Sequence, residues 1–201
     1  SRAVVPGDAA SLAAAACRGG WPETLDLSPS QSLLTAREYP NLLFTESVPR
    51  HGKDGELARR IALSLARNLG QAATYKTLLA DISGGDEPLV TTATVASYLG
   101  ALKSMYVTEE VPGWVPPKRS KKRLATKPKR YFADPSLAAA LLGMNEEALL
   151  SDWQTFGLVF ENMCMRDLMV YVQALPDAPV VPVRYYRDDA GLEVDAIVEL
   201  P

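Results

Sequence analysis

The sequence has few residues of the kinds that build the commonest catalytic and metal sites. It contains one histidine and two cysteines among 201 residues. Cys17 and Cys164 lie far apart and without CxxC spacing, so we expect neither a disulfide framework nor a zinc site. His51 lies in the polar run RHGKDGE and is interpreted as a solvated loop residue. This interpretation argues against catalytic triads built on histidine.

Long apolar runs and phosphate-binding motifs are also missing. No apolar stretch reaches the roughly 18 residues needed to cross a bilayer. The alanine-rich stretch at 9–16 is too short and too weakly flanked for a signal peptide. We therefore expect a cytoplasmic protein that makes no contact with membranes. The sequence has no GxxxxGK[ST], GxGxxG, HExxH or EF-hand pattern, so this chain is not by itself a P-loop ATPase.

Basic residues are concentrated in one short run. The chain carries 21 Lys and Arg against 24 Asp and Glu. Residues 118–130, KRSKKRLATKPKR, hold eight of the 21 basic residues and no acid, which leaves 13 basic residues elsewhere. Such a run is typical of contact with a polyanion, but it is also typical of a solvated loop. The sequence leaves both interpretations open.

Periodic apolar residues predict several helices in the first half of the chain. These helices are 8–18, 30–39, 53–69, 75–82 and 92–105. An extended segment at 106–111 follows them. The order helix, turn, helix, longer turn, helix and strand from residue 57 onwards is typical of a winged helix.

In a winged helix, the segment 92–105 would be the recognition-type helix. Val95, Leu99 and Leu102 should then face the core. The candidate nucleic-acid-binding residues are Thr94, Ser97, Lys103, Lys118, Arg119, Lys121, Lys122 and Arg123. Three short helices that pack on each other need the same apolar stripes, and many winged helices bind proteins instead of DNA. A protein-docking role therefore stays open.

The second half of the chain predicts a mixture of helices and strands. The predicted elements are a strand at 129–132, a helix at 135–142, one long helix at 146–174, and a hairpin of strands at 180–186 and 192–200. Proline at the first position of the shorter helix and Gly191 in the hairpin turn support these boundaries.

Two carboxylates in this half are candidates for chemistry. Glu161 lies on the long helix among apolar neighbours, and Asp195 lies on the polar face of the last strand. A helix with one acid and a hairpin with another are typical of the PD-(D/E)XK nuclease core, where acids and a Glu-x-Lys strand bind a divalent metal. A solvated strand face also carries acids without any catalytic reason. We expect the two carboxylates within roughly 10 Å of each other. Without a metal, one should take up a proton or pair with Arg166 or Arg187.

Several segments together resemble one protein family. They are GGWP at 19–22, SLARNLGQAATYKTLLADI at 64–82, TTATVASYLGALKSMYVTEEVPGW at 91–114, PKRYFADPSLAAALLG at 128–143, TFGLVFE at 155–161 with RDL at 166–168, and YRDDAGLEVDAIVE at 186–199. In order and spacing they are similar to the C-terminal region of bacterial and archaeal AAA-type ATP-binding proteins. The terminal domain of that family is uncharacterised.

This resemblance implies an α+β fold in three segments. It implies a helical segment at 1–56, a winged-helix module at 57–117, and a restriction-endonuclease-like α/β domain at 118–201 that stops before its Glu-x-Lys strand. It also implies a separate N-terminal P-loop domain that uses ATP and Mg²⁺, whereas no cofactor is expected in this chain. Glu161, Asp195 and Asp134 match the family pattern.

Three functions follow from these observations. The first is a regulatory, DNA-engaging part of an AAA-type ATP-binding protein, in which the full-length protein is the ATPase and this chain is not catalytic by itself. The second is a metal-dependent nuclease of PD-(D/E)XK type, in which Glu161 and Asp195 ligate the metal. The third is a protein-interaction module that docks on the ATPase domain or on a second copy of the chain.

Overall fold

The structure of the protein, a computed structural model, describes most of the chain. The described residues are 7–24, 26–85, 87, 90–114, 127–188 and 191–200. In these ranges the protein is of α+β class, with many helices and two small antiparallel sheets. No helix in the described ranges is both long enough and apolar enough to cross a membrane.

The helices and strands follow the predicted order along the chain. The helices are α1 (Ala9–Arg18), α2 (Pro29–Leu42), α3 (Val48–Arg50), α4 (Gly55–Arg67), α5 (Tyr75–Ser83), α6 (Thr92–Ser104), α7 (Pro135–Leu141), α8 (Glu146–Ser151) and α9 (Trp153–Gln173). The strands are β1 (Thr108–Val111), β2 (Lys129–Phe132), β3 (Arg184–Arg187) and β4 (Glu193–Ile197). Side-chain caps at Asp8, Asp54, Thr74 and Thr91 begin four of the helices, as polar residues at these positions usually do.

Helix α2 continues past Pro40, where the sequence predicted its end. Proline has no amide hydrogen, so it removes one hydrogen bond from the helix. A single π-helical turn, Leu43–Ser47, follows α2 and leads into α3. Leu43 and Phe44 of this turn are buried in the core. Their packing offsets the lost hydrogen bond, which a local sequence rule does not take into account.

The predicted single helix at 146–174 is two helices, α8 and α9. The break is at Asp152, whose backbone lies outside the helical region with φ −125° and ψ 84°. Its carboxylate accepts a hydrogen bond from the amide of Thr155 at 3.1 Å and so caps α9. Aspartate competes for backbone hydrogen bonds in this way, and it therefore favours helix starts over helix interiors.

Both sheets are two-stranded, and residues after β1 join them. β1 and β2 pair antiparallel from Thr108 opposite Phe132 to Val111 opposite Lys129. β3 and β4 pair antiparallel with an irregularity near Tyr185. The amide of Trp114, just beyond β1, donates to the carbonyl of Tyr185 at 2.5 Å. The hairpin β3–β4 is therefore attached to the chain that leaves β1.

One continuous hydrophobic core contains residues from all three predicted segments. Ala16 of α1, Leu65 of α4, Tyr131 of β2 and Phe156 of α9 belong to it. Helix α7 packs against α1, α2, α4 and α9 and lies near the middle of the molecule. The boundaries at 56 and 117 stay a prediction.

Helix α6 has the predicted orientation. Val95, Leu99 and Leu102 are buried in the core. Ser97 is exposed and Thr94 is half-buried. The opposite faces of α6 therefore meet core and solvent as its apolar periodicity predicted.

Asn162 attaches α9 to β2. Its side chain is fully buried, at 0% exposure. Its amide nitrogen donates to the carbonyl of Phe132 at 2.8 Å, and its amide oxygen accepts from the backbone amide of Phe132 at 3.0 Å. Because both backbone groups of Phe132 depend on this one side chain, Asn162 fixes the distance between helix and strand.

We expect the substitution Asn162→Ala to lower the free energy of unfolding by about 2–4 kcal/mol, because it leaves a buried amide and a buried carbonyl without partners. Asn41→Ala is the matched control, since Asn41 is exposed and its oxygen accepts from Arg59 at the surface. The control should change stability by no more than about 0.5 kcal/mol. Urea denaturation of both variants measures the difference, and equal losses would contradict this role of Asn162.

Candidate functional site

A buried lysine surrounded by three carboxylates is the most highly charged cluster near the predicted acids. Lys129 lies in β2 and its side chain is only 5% exposed. Its Nζ atom lies 2.6 Å from Glu193 Oε1, 2.8 Å from Asp195 Oδ1 and 3.4 Å from Glu161 Oε1. Helix α9 supplies one of these acids and strand β4 supplies the other two. We call these four residues the Lys129 cluster.

The surroundings of Lys129 keep its side chain charged. Burial by itself lowers the pKa of Lys129, but hydrogen bonds with Asp195 and Glu193 outweigh burial and raise the pKa above its ordinary value. The ring of Tyr185 adds a cation–π contact, with Nζ 5.5 Å from the ring centroid. Removing a charge from water costs several kcal/mol unless partners replace the water. The three acids and the ring supply those partners.

Tyr131 holds Glu161 at the cluster from the same strand as Lys129. Side chains two residues apart on a strand point to the same face, so Lys129 and Tyr131 both meet α9. The Tyr131 hydroxyl donates to Glu161 Oε1 at 2.6 Å. Burial and this hydrogen bond raise the pKa of Tyr131, so its hydroxyl stays protonated and able to donate.

Gly70 allows Glu161 to approach the strand. The amide of Gly70 donates to the carbonyl of Arg130 at 3.0 Å, and its backbone has φ +68°. A Cβ atom on Gly70 would lie 2.9 Å from Glu161 Oε1, closer than side chains normally allow. Only glycine combines this backbone conformation with this lack of volume.

The predicted proximity of Glu161 and Asp195 is confirmed. Their contacting oxygens cannot be farther apart than the sum of their 3.4 Å and 2.8 Å distances to Nζ, well inside the predicted limit. The expected partner was wrong, because neither Arg166 nor Arg187 contacts these two acids. Arg166 pairs with Asp134 and Asp167, and Arg187 lies 3.8 Å from Glu193.

The cluster as arranged does not fit a divalent metal. The described residues contain no group of three or more His, Cys, Asp or Glu side chains that could hold a metal ion. The ammonium of Lys129 lies where the three carboxylates converge. A divalent ion bound to the same three oxygens would have to displace that ammonium from the position where they converge. What these residues provide is an ion-pair cluster, with one ammonium shared by three carboxylates, that joins β2, α9 and β4.

Asp134, the third acid to which the sequence resemblance pointed, has a different set of partners. It accepts from the amide of Gly20 and from Arg166 Nη1, both at 2.8 Å. It also caps α7 by accepting from the amide of Ser136 at 2.9 Å. Asp134 therefore ties the turn after α1 to the start of α7 and to α9.

The candidate nucleic-acid contacts on α6 lie at the surface or close to it. Ser97 and Lys103 are exposed, and Thr94 is half-buried at the start of the helix. Ser97 accepts from Lys53 Nζ at 2.6 Å, and Lys103 donates to a carboxylate oxygen of Glu110 at 2.8 Å. The other candidates, Lys118, Arg119, Lys121, Lys122 and Arg123, lie outside the described residues.

The sequence interpretation missed the central residues of the cluster, Lys129 and Tyr131, together with the part played by Glu193. Lys129 was counted with the basic run 118–130 and given no role of its own in the predicted strand. One signal was available: in KRYF, strand alternation places Lys129 on the same face as the apolar ring of Tyr131. A lysine at such a position needs acidic partners, and the chain has three within reach.

We expect Lys129→Met to lower the free energy of unfolding by about 2–4 kcal/mol, since it leaves three carboxylates facing one another without their shared cation. The expected loss is below that of a fully buried pair because the side chain of Asp195 is 58% exposed. Lys127→Met is the control, because Lys127 is exposed two residues earlier. Urea denaturation near pH 7 measures both, and an unchanged Lys129→Met variant would show that the cluster is not stabilising.

We also expect Gly70→Ala to destabilise the protein more than Gly84→Ala. Both glycines have positive φ, at +68° and +63°, so each substitution carries a backbone cost of about 1–2 kcal/mol. Only at Gly70 does the added methyl group meet Glu161, whereas nothing lies within 4 Å at Gly84. Thermal unfolding should show the larger decrease for Gly70→Ala. Equal decreases in melting temperature would mean that Glu161 can move away from the new methyl group without loss of stability.

Comparison with known proteins identifies one family. No curated protein and no solved structure matches the chain. The family model described as a domain of unknown function, DUF8612, matches residues 9–148. This range covers α1 to α7 with both strands of the first sheet, and it ends within α8. It includes Lys129 and Tyr131 but not Glu161 or the β3–β4 hairpin. Because the match spans more than half of the 201 residues, the chain belongs to the DUF8612 family.

Proposed function

We propose that this chain is the regulatory, nucleic-acid-engaging part of an AAA-type ATP-binding protein and is not catalytic by itself. The resemblance of its motifs to the C-terminal region of such proteins supports the first half of this proposal. The arrangement of α4, α5, α6, β1 and β2 supports the second half. The ATP- and Mg²⁺-binding domain would be a separate part of the full-length protein.

The packing of α4–α6 against the first sheet supports a winged helix. α5 packs on α4 and α6, and α6 packs on β1. β1 and β2 then form an antiparallel pair. Three helices followed by a β-hairpin are the components of a winged helix, with α6 in the recognition position. This arrangement is the single observation that carries the proposal.

The charge of the segment between β1 and β2 supports a polyanionic partner. Two of the eight basic residues at 118–130 serve the fold, because Lys129 lies in its cluster and Arg130 Nε donates to Glu110 at 3.1 Å. The remaining six belong to the segment that would form the wing. Lysine and arginine at a wing favour contact with phosphates.

The exposed face of α6 favours backbone contacts over base readout. Ala93, Ser97 and Gly100 are exposed on it, and they have few groups that can hydrogen-bond to base edges. The charge of Lys103 is shared with Glu110. We therefore propose that affinity comes mainly from phosphates and has little sequence preference.

A metal-dependent nuclease is the second candidate, favoured by the convergence of Glu161 and Asp195. The ammonium of Lys129 between them argues against it, and no catalytic step is assigned to these residues. A protein-docking winged helix is the third candidate. The three candidate functions predict different results when the protein is mixed with the same DNA duplex.

We expect the triple substitution of Lys121, Lys122 and Arg123 by Ala to weaken binding to a short labelled DNA duplex. Fluorescence anisotropy across a salt series measures this effect. The slope of log affinity against log salt should flatten by up to about three, because each phosphate contact contributes about 0.9. We expect the melting temperature to change little, since the proposed role of these three residues is contact with DNA and not support of the fold.

The matched control replaces Arg18, Arg37 and Arg50 by Ala. These residues are exposed and lie outside α4–α6 and β1–β2, and their loss changes the net charge equally. Equal effects of the two triple variants at low salt would overturn the proposed site. Cleavage of the duplex with Mg²⁺, abolished by Glu161→Gln, would favour the nuclease. Absence of any DNA binding would leave the protein-docking function.

A further inference from the structure

An open pocket with aromatic walls lies where α6 ends. Its volume is about 510 Å³, and Trp21, Tyr39, Tyr106 and Asp167 are among the residues that line it. The rings of Trp21 and Tyr39 have centroids 4.7 Å apart. Trp21 Nε1 donates to Ser136 Oγ at 2.9 Å, which fixes this wall without a ligand. The pocket is therefore preorganised on one side.

Tyr106 has a backbone conformation that normally belongs to glycine. Its φ is +56°, and it is the one non-glycine residue with positive φ in the described structure. Its amide donates to the carbonyl of Lys103, and the next amide, of Val107, donates to that of Leu102, both at 3.0 Å. These two bonds form a Schellman turn, in which glycine usually occupies this position.

Burial of the Tyr106 side chain does not offset this backbone strain. It is 81% exposed. A glycine would end α6 at a lower cost to the fold. Tyr106 therefore lowers the stability of the fold, and it lines a pocket. Binding of a ligand explains such a residue better than packing does.

The charges at the pocket leave an excess of one negative charge. Arg166 lies between two acids, with Nη1 2.8 Å from Asp134 and Nη2 2.8 Å from Asp167. Both contacts of Asp167 with Arg166 use its Oδ1 atom. Among the described residues its Oδ2 has no partner, and the side chain is 42% exposed. This oxygen can accept a hydrogen bond from a ligand.

None of the three aromatic rings of the pocket is paired with a cation of the described residues. Lysine or arginine side chains lie over four other rings of the described structure, but over none of the three in this pocket. Aromatic faces attract cations through the negative charge of their π-electrons. A nearby carboxylate strengthens that attraction and disfavours anions.

We propose that this pocket binds an organic cation, a guanidinium or alkylammonium group, over the faces of Trp21, Tyr39 and Tyr106. Asp167 Oδ2 accepts a hydrogen bond from the bound group. This pocket would bind a cation, whereas the proposed nucleic-acid contacts bind phosphate anions. The site is therefore independent of the proposed function. A guanidinium or alkylammonium group can come from an arginine or lysine side chain of a partner protein, or from a free small cation.

The test uses NMR titration with three probes. They are a blocked arginine tripeptide, the same tripeptide with citrulline in place of arginine, and methylguanidinium. Citrulline has the shape of arginine without its charge. We expect the arginine peptide to shift the indole signal of Trp21, identified among the three tryptophans with the Trp21→Phe variant, and citrulline to leave it in place. Stronger binding of the peptide than of methylguanidinium indicates a side chain of a partner, and equal binding indicates a free small cation.

Tyr106→Gly separates a ligand-binding role from a structural one. We expect this variant to melt at a higher temperature, because the strained residue is gone, and to bind the arginine peptide about two- to fivefold more weakly. Asp167→Asn should weaken binding to a similar extent. Tyr171→Ala is the control, since Tyr171 is an exposed tyrosine on α9 that does not line the pocket.

Three results would overturn the proposal. One is an equal response to the arginine and citrulline peptides. Another is the absence of any response of the Trp21 signal. The third is unchanged binding by Tyr106→Gly and Asp167→Asn when both variants are folded by their melting curves.

Discussion

The ammonium of Lys129 is the constraint on which the second half of the structure depends. A charge on a buried strand is tolerated only where other groups replace water. Helix α9 and strand β4 must therefore reach β2 from different directions to supply the three carboxylates. Asn162, next to Glu161 on α9, holds the backbone of the same strand. The ion pairs and the backbone hydrogen bonds thus impose the same position on α9.

The basic run 118–130 contributes to two different features of the protein, the Lys129 cluster and the proposed phosphate contacts. Lys129, the next-to-last residue of the run, lies inside the protein, where its ammonium pairs with acids from distant parts of the chain. The earlier residues of the run are the ones proposed to contact phosphates. The pocket beside α6 has the opposite character, with aromatic faces and an excess carboxylate. The two proposals thus assign separate surfaces of the protein to a polyanion and to an organic cation.

Most helices could be predicted from the sequence because their signals are local. Apolar residues at three- and four-residue spacing placed α4 and α6. The predicted start of α4 at 53 is two residues early, because Asp54 caps the helix at its amino end. The differences occur where a local signal competes with packing. At Pro40 the helix continues because the following π-turn is buried against the core. At Asp152 a cap outweighs an apolar stripe that runs across the break.

The sequence by itself determined the α+β class, the order of the elements, the faces of α6 and the nearness of Glu161 to Asp195. The order of the elements and the faces of α6 follow from periodicity. The α+β class and the nearness of the two acids were expected from the resemblance to a known family and from the nuclease-like arrangement of helix and hairpin. Only the tertiary structure decided that Lys129 is the cation between those acids, because Glu161 and Asp195 are 32 and 66 residues away along the chain. It also decided that Trp21, Tyr39 and Tyr106 share one pocket. Contacts at such separations depend on how whole helices pack, and no local pattern encodes that packing.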